Sequence, residues 1–195
     1  MPGLQELIAA MDAVSEPRVL ATVLGAGEDP GPVRRVLLEA APASAGRFAG
    51  AAREVLGGAP ARILELEPGP DLDPLLATPD PVPGGRARVL LERLVPRRLP
   101  PWLHCSVQAQ GRGGVTVLAT VTAQDGTTPA EAGERFVYDH HNHGLLPMDG
   151  RFSLDLQRGC ERARAKGTTL GAEFAFPDGH LQVVLEPLPA AATTP

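Results

Sequence analysis

Val117-Leu118-Ala119-Thr120-Val121 decides the fold, because the same five residues stand 98 positions earlier, at 19–23, in this chain of 195 residues. Two further echoes keep the same order along the chain. They are Gly46-Arg47-Phe48 with Gly150-Arg151-Phe152, and residues 85–94 with 179–188. One such match in a chain rich in Ala, Val and Leu would be chance, whereas three in register indicate an internal duplication. The sequence therefore predicts two similar tandem halves.

The spacing of apolar residues predicts the same order of elements in both halves. Buried strands are short runs rich in Val and Leu, and helices place apolar residues three and four apart. The first half reads as helix 4–14, strands 18–24 and 33–39, helix 44–56, and strands 62–66 and 86–95. The second reads as an element of undecided type at 103–110, strands 116–123 and 135–139, helix 153–166, and strands 172–176 and 181–186.

This pattern predicts an α+β fold with a mixed sheet covered by helices, because strands and helices do not alternate regularly. The proline-rich run at 96–101 is the predicted boundary between the halves, since prolines block both regular structures. The predicted domains are 1–96, a connecting segment 97–114, and 115–195.

Composition and charge exclude several classes of protein. A net charge of −5 argues against a dedicated nucleic-acid or anionic-membrane surface. No apolar run approaches the length that spans a bilayer, and the N-terminus lacks a signal-peptide pattern. Two cysteines in unrelated contexts do not form a disulfide framework. We expect a cytoplasmic protein.

Three segments of the second half resemble the small domain of the XdhC/CoxI family, the accessory factors of xanthine dehydrogenase and carbon monoxide dehydrogenase. The helix predicted after Gly150 also sits where that family has one. The resemblance covers 115–189 well and 17–96 faintly, so each half is interpreted as one repeat of this domain. The three segments are the strand 117–121 with the turn Asp125-Gly126-Thr127-Thr128-Pro129, the strand 133–137, and the closing run 179–189.

The resemblance implies a non-catalytic accessory protein that binds or handles the molybdenum cofactor (molybdopterin) for a molybdoenzyme of the xanthine dehydrogenase type. A molybdoenzyme subunit would then be the partner, and a homo-oligomer stays open. The family also has two cysteines, at places that here read Gly150-Arg151-Phe152 and Pro177-Asp178-Gly179. Because a soft metal centre needs thiolates, we expect no thiolate-ligated molybdenum or iron.

The turn after the first strand of the second half is the candidate cofactor site. Its residues Gly126, Thr127, Thr128 and Gly133 offer backbone amides and hydroxyls that can bind an oxyanion, and Arg135 can bind a phosphate in bidentate fashion. The alternative is a structural turn followed by a solvent-facing arginine. Arg34 and Arg35 in the first half admit the same two interpretations, and the solvent-facing one is favoured.

Asp139, His140, His141 and His143 form the one cluster that suits a metal ion. Imidazole and carboxylate groups bind divalent transition metals, but neighbours on a strand point to opposite faces, so the chain must turn there. A solvated hairpin is the alternative. The run Asp139-His140-His141 also matches a motif of the DHH phosphoesterases, whose other aspartate-rich motifs have no counterpart here.

Cys160 stands among Arg158, Arg162 and Arg164, whose charges would lower its pKa if the thiol were exposed. Helical spacing instead favours a buried and inert cysteine, and we expect Cys160→Ser to change stability little. Two other functions remain open beside the cofactor hypothesis: a duplicated protein–protein interaction module that has lost its ancestral site, and a small metal-dependent hydrolase built on the histidine cluster.

Overall fold

The computed structural model describes residues 3–25, 30–39, 46–67, 69, 86–113, 115–141, 145–146 and 150–190. The chain divides into two compact units, Met1–Pro100 and Pro101–Pro195. The first unit contains α1 (Leu4–Asp12), β1 (Arg18–Leu24), β2 (Arg34–Leu38), α2 (Arg47–Leu56), β3 (Arg62–Leu66) and β4 (Ala87–Leu94). The second contains α3 (Pro101–Gly111), β5 (Thr116–Gly126), β6 (Arg135–Asp139), α4 (Gly150–Lys166), β7 (Leu170–Phe176) and β8 (Gly179–Leu188).

Each unit has one four-stranded sheet, with strand order β2-β1-β4-β3 in the first and β6-β5-β8-β7 in the second. The predicted α+β class and the two similar halves are confirmed. Every named pairing is antiparallel, however, so the predicted mixed sheet is wrong. The physical reason lies in the connections: β7 and β8 follow each other across a two-residue turn, and a turn that short joins only antiparallel strands.

The sequence echoes occupy equivalent positions in the two sheets. In the first unit Ala21 of β1 pairs with Leu91 of β4, and in the second Ala119 of β5 pairs with Leu185 of β8. Ala119 is therefore equivalent to Ala21, at an offset of 98, and Leu185 is equivalent to Leu91, at an offset of 94. The same pair lies at the centre of both sheets. The repeated segments form the two central strands of each sheet, where both neighbours are strands and most apolar side chains are buried.

The third echo begins the helix that covers one face of each sheet. Phe48 in α2 and Phe152 in α4 are both buried in the apolar cluster of their own unit. On α4 the buried residues recur three and four apart, and on β5 alternate residues face the helix, as the two periodicities require. The cluster of the second unit includes Val117, Ala119 and Val121 from β5 and Phe152, Leu156, Cys160 and Ala163 from α4.

The segment 97–114, predicted to connect the halves, is mostly helix. α3 begins at Pro101, a favoured first helical residue because proline lacks only an N–H that would have no partner there. It packs against β6 and β5, so it belongs to the second unit. The interpretation of 1–96 and 115–195 as two repeats of one family domain stays a prediction.

Candidate functional site

The turn between β5 and β6 is tied to the β7–β8 hairpin by its backbone. The N–H of Thr127 donates to the carbonyl of Asp178 at 2.8 Å, and the N–H of Gly133 donates to the carbonyl of Val121 at 2.9 Å. Gly126 has φ +69°, and a Cβ there would lie 2.0 Å from the Asp178 oxygen. The expectation of free amides is therefore wrong for Thr127 and Gly133, because both N–H groups already donate to backbone carbonyls of the protein.

The two threonines of this turn are placed differently. Thr127 is exposed, whereas Thr128 is half-buried and donates its hydroxyl to the carbonyl of Ala130 at 2.7 Å. The methyl group of Thr128 also lies close to the backbone at Gly179. Only the Thr127 hydroxyl is thus presented to solvent at the tip of the turn.

Arg135 lies apart from the tip. It pairs across the sheet with Thr120, whereas Gly126 pairs with Gly179 six residues further along β5. At about 3.3 Å per residue, roughly 20 Å of strand separates these two pairs. The structure therefore brings Gly133 and Arg135 together, and Gly126, Thr127 and Thr128 together, but not the two groups. Ligand binding by these five residues stays a prediction.

The side chain of Arg135 is 8% exposed, so it is not the solvent-facing residue of the alternative interpretation. Its guanidinium carbon lies 4.2 Å from the ring centroid of Trp102 in α3, a cation–π distance. Arg35 in the first unit occupies the equivalent position, opposite Thr22 in the sheet, and is also 8% exposed. The prediction that Arg35 faces solvent is wrong. The two arginines are equivalent because each lies opposite the threonine of a Val-Leu-Ala-Thr-Val strand. Aligning the two halves on that repeated strand and the strand after it could have shown this equivalence.

The predicted metal cluster is divided between buried and exposed positions. Asp139 is 3% exposed, and its Oδ2 accepts a hydrogen bond from Arg112 Nη2 at 2.7 Å. Its Oδ1 accepts the N–H of His141 at 3.0 Å. His140 and His141 are exposed, and Nδ1 of His140 lies 3.4 Å from Glu161 Oε1. His143 lies outside the described residues, and within the described ranges no three His, Cys, Asp or Glu side chains are grouped to hold a metal.

Glu161 on α4 joins a polar cluster at the border of the second core. The hydroxyl of Tyr138 donates to Glu161 Oε1, and Arg164 Nε donates to Oε2 at 2.9 Å. These interactions, the tyrosine hydrogen bond first, lower the pKa of Glu161 although partial burial opposes the shift. Burial and the bond to Glu161 raise the pKa of Tyr138 to about 12. Both groups therefore keep one charge state near neutral pH, which suits a structural contact better than proton transfer.

Cys160 is fully buried in the same core, which confirms the buried interpretation. Burial is the main cause that raises its pKa to about 12, and the charge of Glu161 adds to it. The thiol is therefore protonated at neutral pH and carries none of the thiolate character that metal binding or sulfur transfer needs.

A groove that the sequence patterns did not predict lies between α4 and the edge strand β7. Its volume is about 560 Å³, within the usual range of ligand sites. Phe174 and Phe176 of β7 line it, with ring centroids 5.4 and 5.6 Å from that of Phe152. Four charged side chains of α4 line it as well: Arg151, Asp155, Arg158 and Arg162. We call this site the α4–β7 groove.

The sequence feature that could have indicated this groove is the helical spacing of its charged residues. Positions 151, 155, 158 and 162 are separated by four, three and four residues, so they form one stripe along α4. Arg158 Nη1 lies 3.3 Å from Asp155 Oδ1, and the side chain of Arg158 is 78% exposed. Arg162 forms no ion pair with any residue that the structure describes. The stripe and Glu173 together place three arginines against two carboxylates, a basic surface on a chain whose net charge is −5.

The equivalent surface of the first unit has different charges. When Gly46-Arg47-Phe48 is aligned with Gly150-Arg151-Phe152, Glu54 stands at the position of Arg158, and Gly58 at that of Arg162. Glu54 Oε2 accepts a salt bridge from Arg62 Nη1 of β3 at 2.9 Å. The two units therefore differ where their helices face the edge strand, and only the second has the arginine stripe.

Comparison with known proteins gives little beyond this geometry. No protein-family model and no curated protein sequence matches the chain. Among solved structures, a xanthine dehydrogenase from Bacillus halodurans matches at 16% identity with a TM-score of 0.36. The match covers 41% of this chain and 28% of that one. A likeness this partial assigns neither a family nor an activity.

No helix in the described part of the chain is long and apolar enough to cross a membrane.

Proposed function

We propose that this is a non-catalytic accessory protein for a molybdoenzyme of the xanthine dehydrogenase type, and that its second unit binds the pterin of the molybdenum cofactor in the α4–β7 groove. The observation that carries the proposal is the pairing of two phenylalanine rings with an arginine stripe in one groove of about 560 Å³. The resemblance of 115–189 to the XdhC/CoxI domain supports the choice of cofactor and partner.

The side chains of the groove fit the chemistry of a phosphorylated pterin. Arginine binds phosphate oxygens through paired, charge-assisted hydrogen bonds, so Arg158 and Arg162 would hold the phosphate. Phe174 and Phe176 offer apolar ring surface for a planar heterocycle. The buried Cys160 cannot ligate the metal, so the protein would hold the cofactor by its organic part. When bound, the cofactor supplies redox chemistry, which the partner enzyme would use.

Titration with a phosphorylated pterin, followed by the fluorescence of the pterin, tests this proposal. We expect Arg158→Gln combined with Arg162→Gln to weaken binding by about 10- to 100-fold, the loss typical of charge-assisted hydrogen bonds. Arg47→Gln, at the first-unit position equivalent to Arg151, is the matched control and should leave affinity unchanged. Equal losses in both variants, or no binding at millimolar pterin, would overturn the proposal.

A second pair of variants separates the groove from the predicted turn. If the turn between β5 and β6 holds the phosphate, Thr127→Ala should weaken pterin binding and the arginine variants should not. If the groove holds it, Thr127→Ala should bind as the unaltered protein does. Backbone amide shifts in NMR spectra give an independent readout, since the perturbed residues would fall either in 125–135 or in α4 and β7.

The interaction-module hypothesis is the second candidate, and the position of β7 at the edge of its sheet favours it. An edge strand can pair with a segment of another protein, which requires no cofactor. Failure of the pterin titration together with binding of a protein segment at β7 would favour this second function.

A further inference from the structure

We propose that β7 accepts an extended acidic segment of a partner protein as a fifth strand of the second sheet, with the carboxylates of that segment bound by Arg158 and Arg162. The inference deepens the interaction-module function proposed above by naming the partner's chemistry, and it does not depend on cofactor binding. Three observations carry it: an edge strand that pairs with β8 alone among the described strands, a basic stripe beside that strand, and the absence of this stripe from α2 of the first unit.

β7 has few of the features that keep edge strands from pairing. Natural edges are protected by prolines, inward-pointing charges, bulges or short length. β7 spans seven residues, pairs with β8 without a register shift, and contains one charged residue, Glu173. At about 3.3 Å per residue it offers roughly 23 Å of backbone. The opposite edge strand of this sheet, β6, is partly covered instead, because Val137 forms a bridge with Leu145.

The side chains of β7 alternate between the α4 side of the sheet and the opposite side. This alternation determines which residues a bound partner segment should have. Leu170, Ala172, Phe174 and Phe176 pack on the α4 side of the sheet, whereas the exposed Glu173 between them accepts a hydrogen bond from Gln182 at 3.0 Å. Side chains of an added strand would alternate in the same way. Those on the α4 side would meet the two phenylalanines and the arginine stripe. A segment with acidic, apolar and acidic residues at alternate positions therefore fits the surface.

Charge gives the surface its preference. Arg151, Arg158 and Arg162 line the groove beside β7, opposed by Asp155 and Glu173. The chain as a whole is acidic, with net charge −5, so this basic stripe would orient an acidic segment that the rest of the surface repels. In the first unit Glu54 replaces Arg158 and bridges to Arg62 on β3 at 2.9 Å. That unit should therefore not bind the same segment.

Calorimetric titration of the full chain with a nine-residue peptide tests this inference in the absence of cofactor. The peptide carries glutamates and a central leucine at alternate positions. The matched peptide keeps the leucine and has glutamine in place of each glutamate. We expect the acidic peptide to bind with a Kd below about 1 mM and the glutamine peptide at least about tenfold more weakly. Arg158→Glu with Arg162→Glu should abolish the difference, whereas Arg47→Glu in the first unit should have no effect. The substituted arginines are exposed, so these variants should fold.

A peptide N-methylated at alternate residues separates strand addition from attraction by charge alone. It keeps every carboxylate but lacks the backbone donors that a fifth strand needs, so we expect little binding. With the unmodified peptide, amides of 170–176 should shift in NMR spectra and exchange more slowly with solvent. Equal binding of the methylated peptide, or shifts confined to the first unit, would overturn the proposal. So would a dimer that already protects the β7 amides before peptide is added, because the edge would then belong to a second copy of this chain.

Discussion

At the scale of a residue, Cys160 shows that neighbours in the sequence of a helix point to different sides of it. Three arginines lie within four positions of it, yet Arg158 and Arg162 line the groove and Arg164 pairs with Glu161. The thiol points into the core on another side of α4, so burial sets its pKa and the nearby charges do not lower it. Sequence proximity therefore overstated the influence of the arginines.

We expect the two thiols to react differently in the native protein. Cys160 is buried and its pKa is raised to about 12, whereas Cys105 is half-buried on α3. An alkylating reagent at pH 8 should modify Cys105 and leave Cys160 intact, and denaturant should expose both. Mass spectrometry of the modified chain counts the reacted sites. Rapid native modification of Cys160 would contradict its placement.

The expectation that Cys160→Ser changes stability little is replaced by a different one. The side chain lies among apolar residues of the second core, and an unsatisfied hydroxyl there costs about 1–3 kcal/mol. Cys160→Ser should thus lower the free energy of unfolding by about that amount, and urea denaturation measures it. Cys105→Ser, on the half-buried α3 position, serves as the control with a smaller effect.

Glu161 should make stability depend on pH in the acid range. Its pKa is lowered in the folded state, so the carboxylate stabilises the fold above its ordinary pKa of about 4.5. That contribution is lost as pH falls through the lowered folded pKa. Glu161→Gln should therefore destabilise the protein at pH 7, and the difference from the unaltered chain should shrink toward pH 3. A difference that does not vary with pH would refute the ionic role of this residue.

At the scale of elements, the first turn of α4 fixes the helix on its sheet. Phe152 contacts Phe136, Phe174 and Phe176 with its ring edge-to-face, at centroid distances of 6.2, 5.4 and 5.6 Å. These rings belong to β6 and β7, the two edge strands of the sheet, so one side chain joins α4 to both edges. Phe48 stands at the equivalent position near the start of α2 and is buried in the core of the first unit.

Phe152→Ala should destabilise the second unit by about 3–5 kcal/mol, the usual cost of removing a buried phenylalanine. Phe152→Leu keeps most of the volume and should cost less. Thermal or urea unfolding of both variants checks the order. A loss for the alanine variant no larger than that for leucine would mean that the ring contacts contribute little.

The turn after β5 is hydrogen-bonded to the β7–β8 hairpin, and Gly126 fits that contact only because it lacks a side chain. Gly126 has φ +69°, and a Cβ would lie 2.0 Å from the carbonyl oxygen of Asp178. We therefore expect Gly126→Ala to cost at least about 1 kcal/mol through strain and displacement of the hairpin. Gly111→Ala at the end of α3, where nothing lies within 4 Å of the added atom, is the control and should not destabilise the protein comparably.

At the scale of the whole molecule, the two units share order, topology and register but differ in surface. The central pairs Ala21–Leu91 and Ala119–Leu185 are equivalent, and so are the buried Arg35 and Arg135. The helix faces beside the edge strands are not equivalent, because Glu54 replaces Arg158. The two units thus resemble each other in their buried strands and differ on the exposed faces of their helices.

This asymmetry predicts one binding site per chain. If the α4–β7 groove binds the acidic peptide or the pterin, the stoichiometry in calorimetry should be one, because the first unit presents the Glu54–Arg62 salt bridge. Both ligands would use Arg158 and Arg162, so saturating peptide should weaken pterin binding. Two sites of similar affinity would show that the arginine stripe does not decide recognition.

Local patterns in the sequence predicted most of the elements and the similarity of the two halves. Strand 62–66 and strand 135–139 were predicted with the bounds that the structure has, because short runs of aliphatic or aromatic residues between Gly, Pro and Asn breakers carry that information locally. The triple echo determined that each half repeats one arrangement. The Pro-rich run at 96–101 was the predicted boundary, and the first compact unit ends at Pro100.

Tertiary structure alone decided how those elements pair and which polar groups are buried. The pairing of β5 with β8, the separation of Arg135 from Thr127, and the burial of Arg35 depend on the register of paired strands, which periodicity does not encode. The groove likewise needs α4 and β7 side by side, although the arginine spacing was present in the sequence. Spacing places side chains on one face of a helix, but only packing decides what that face meets.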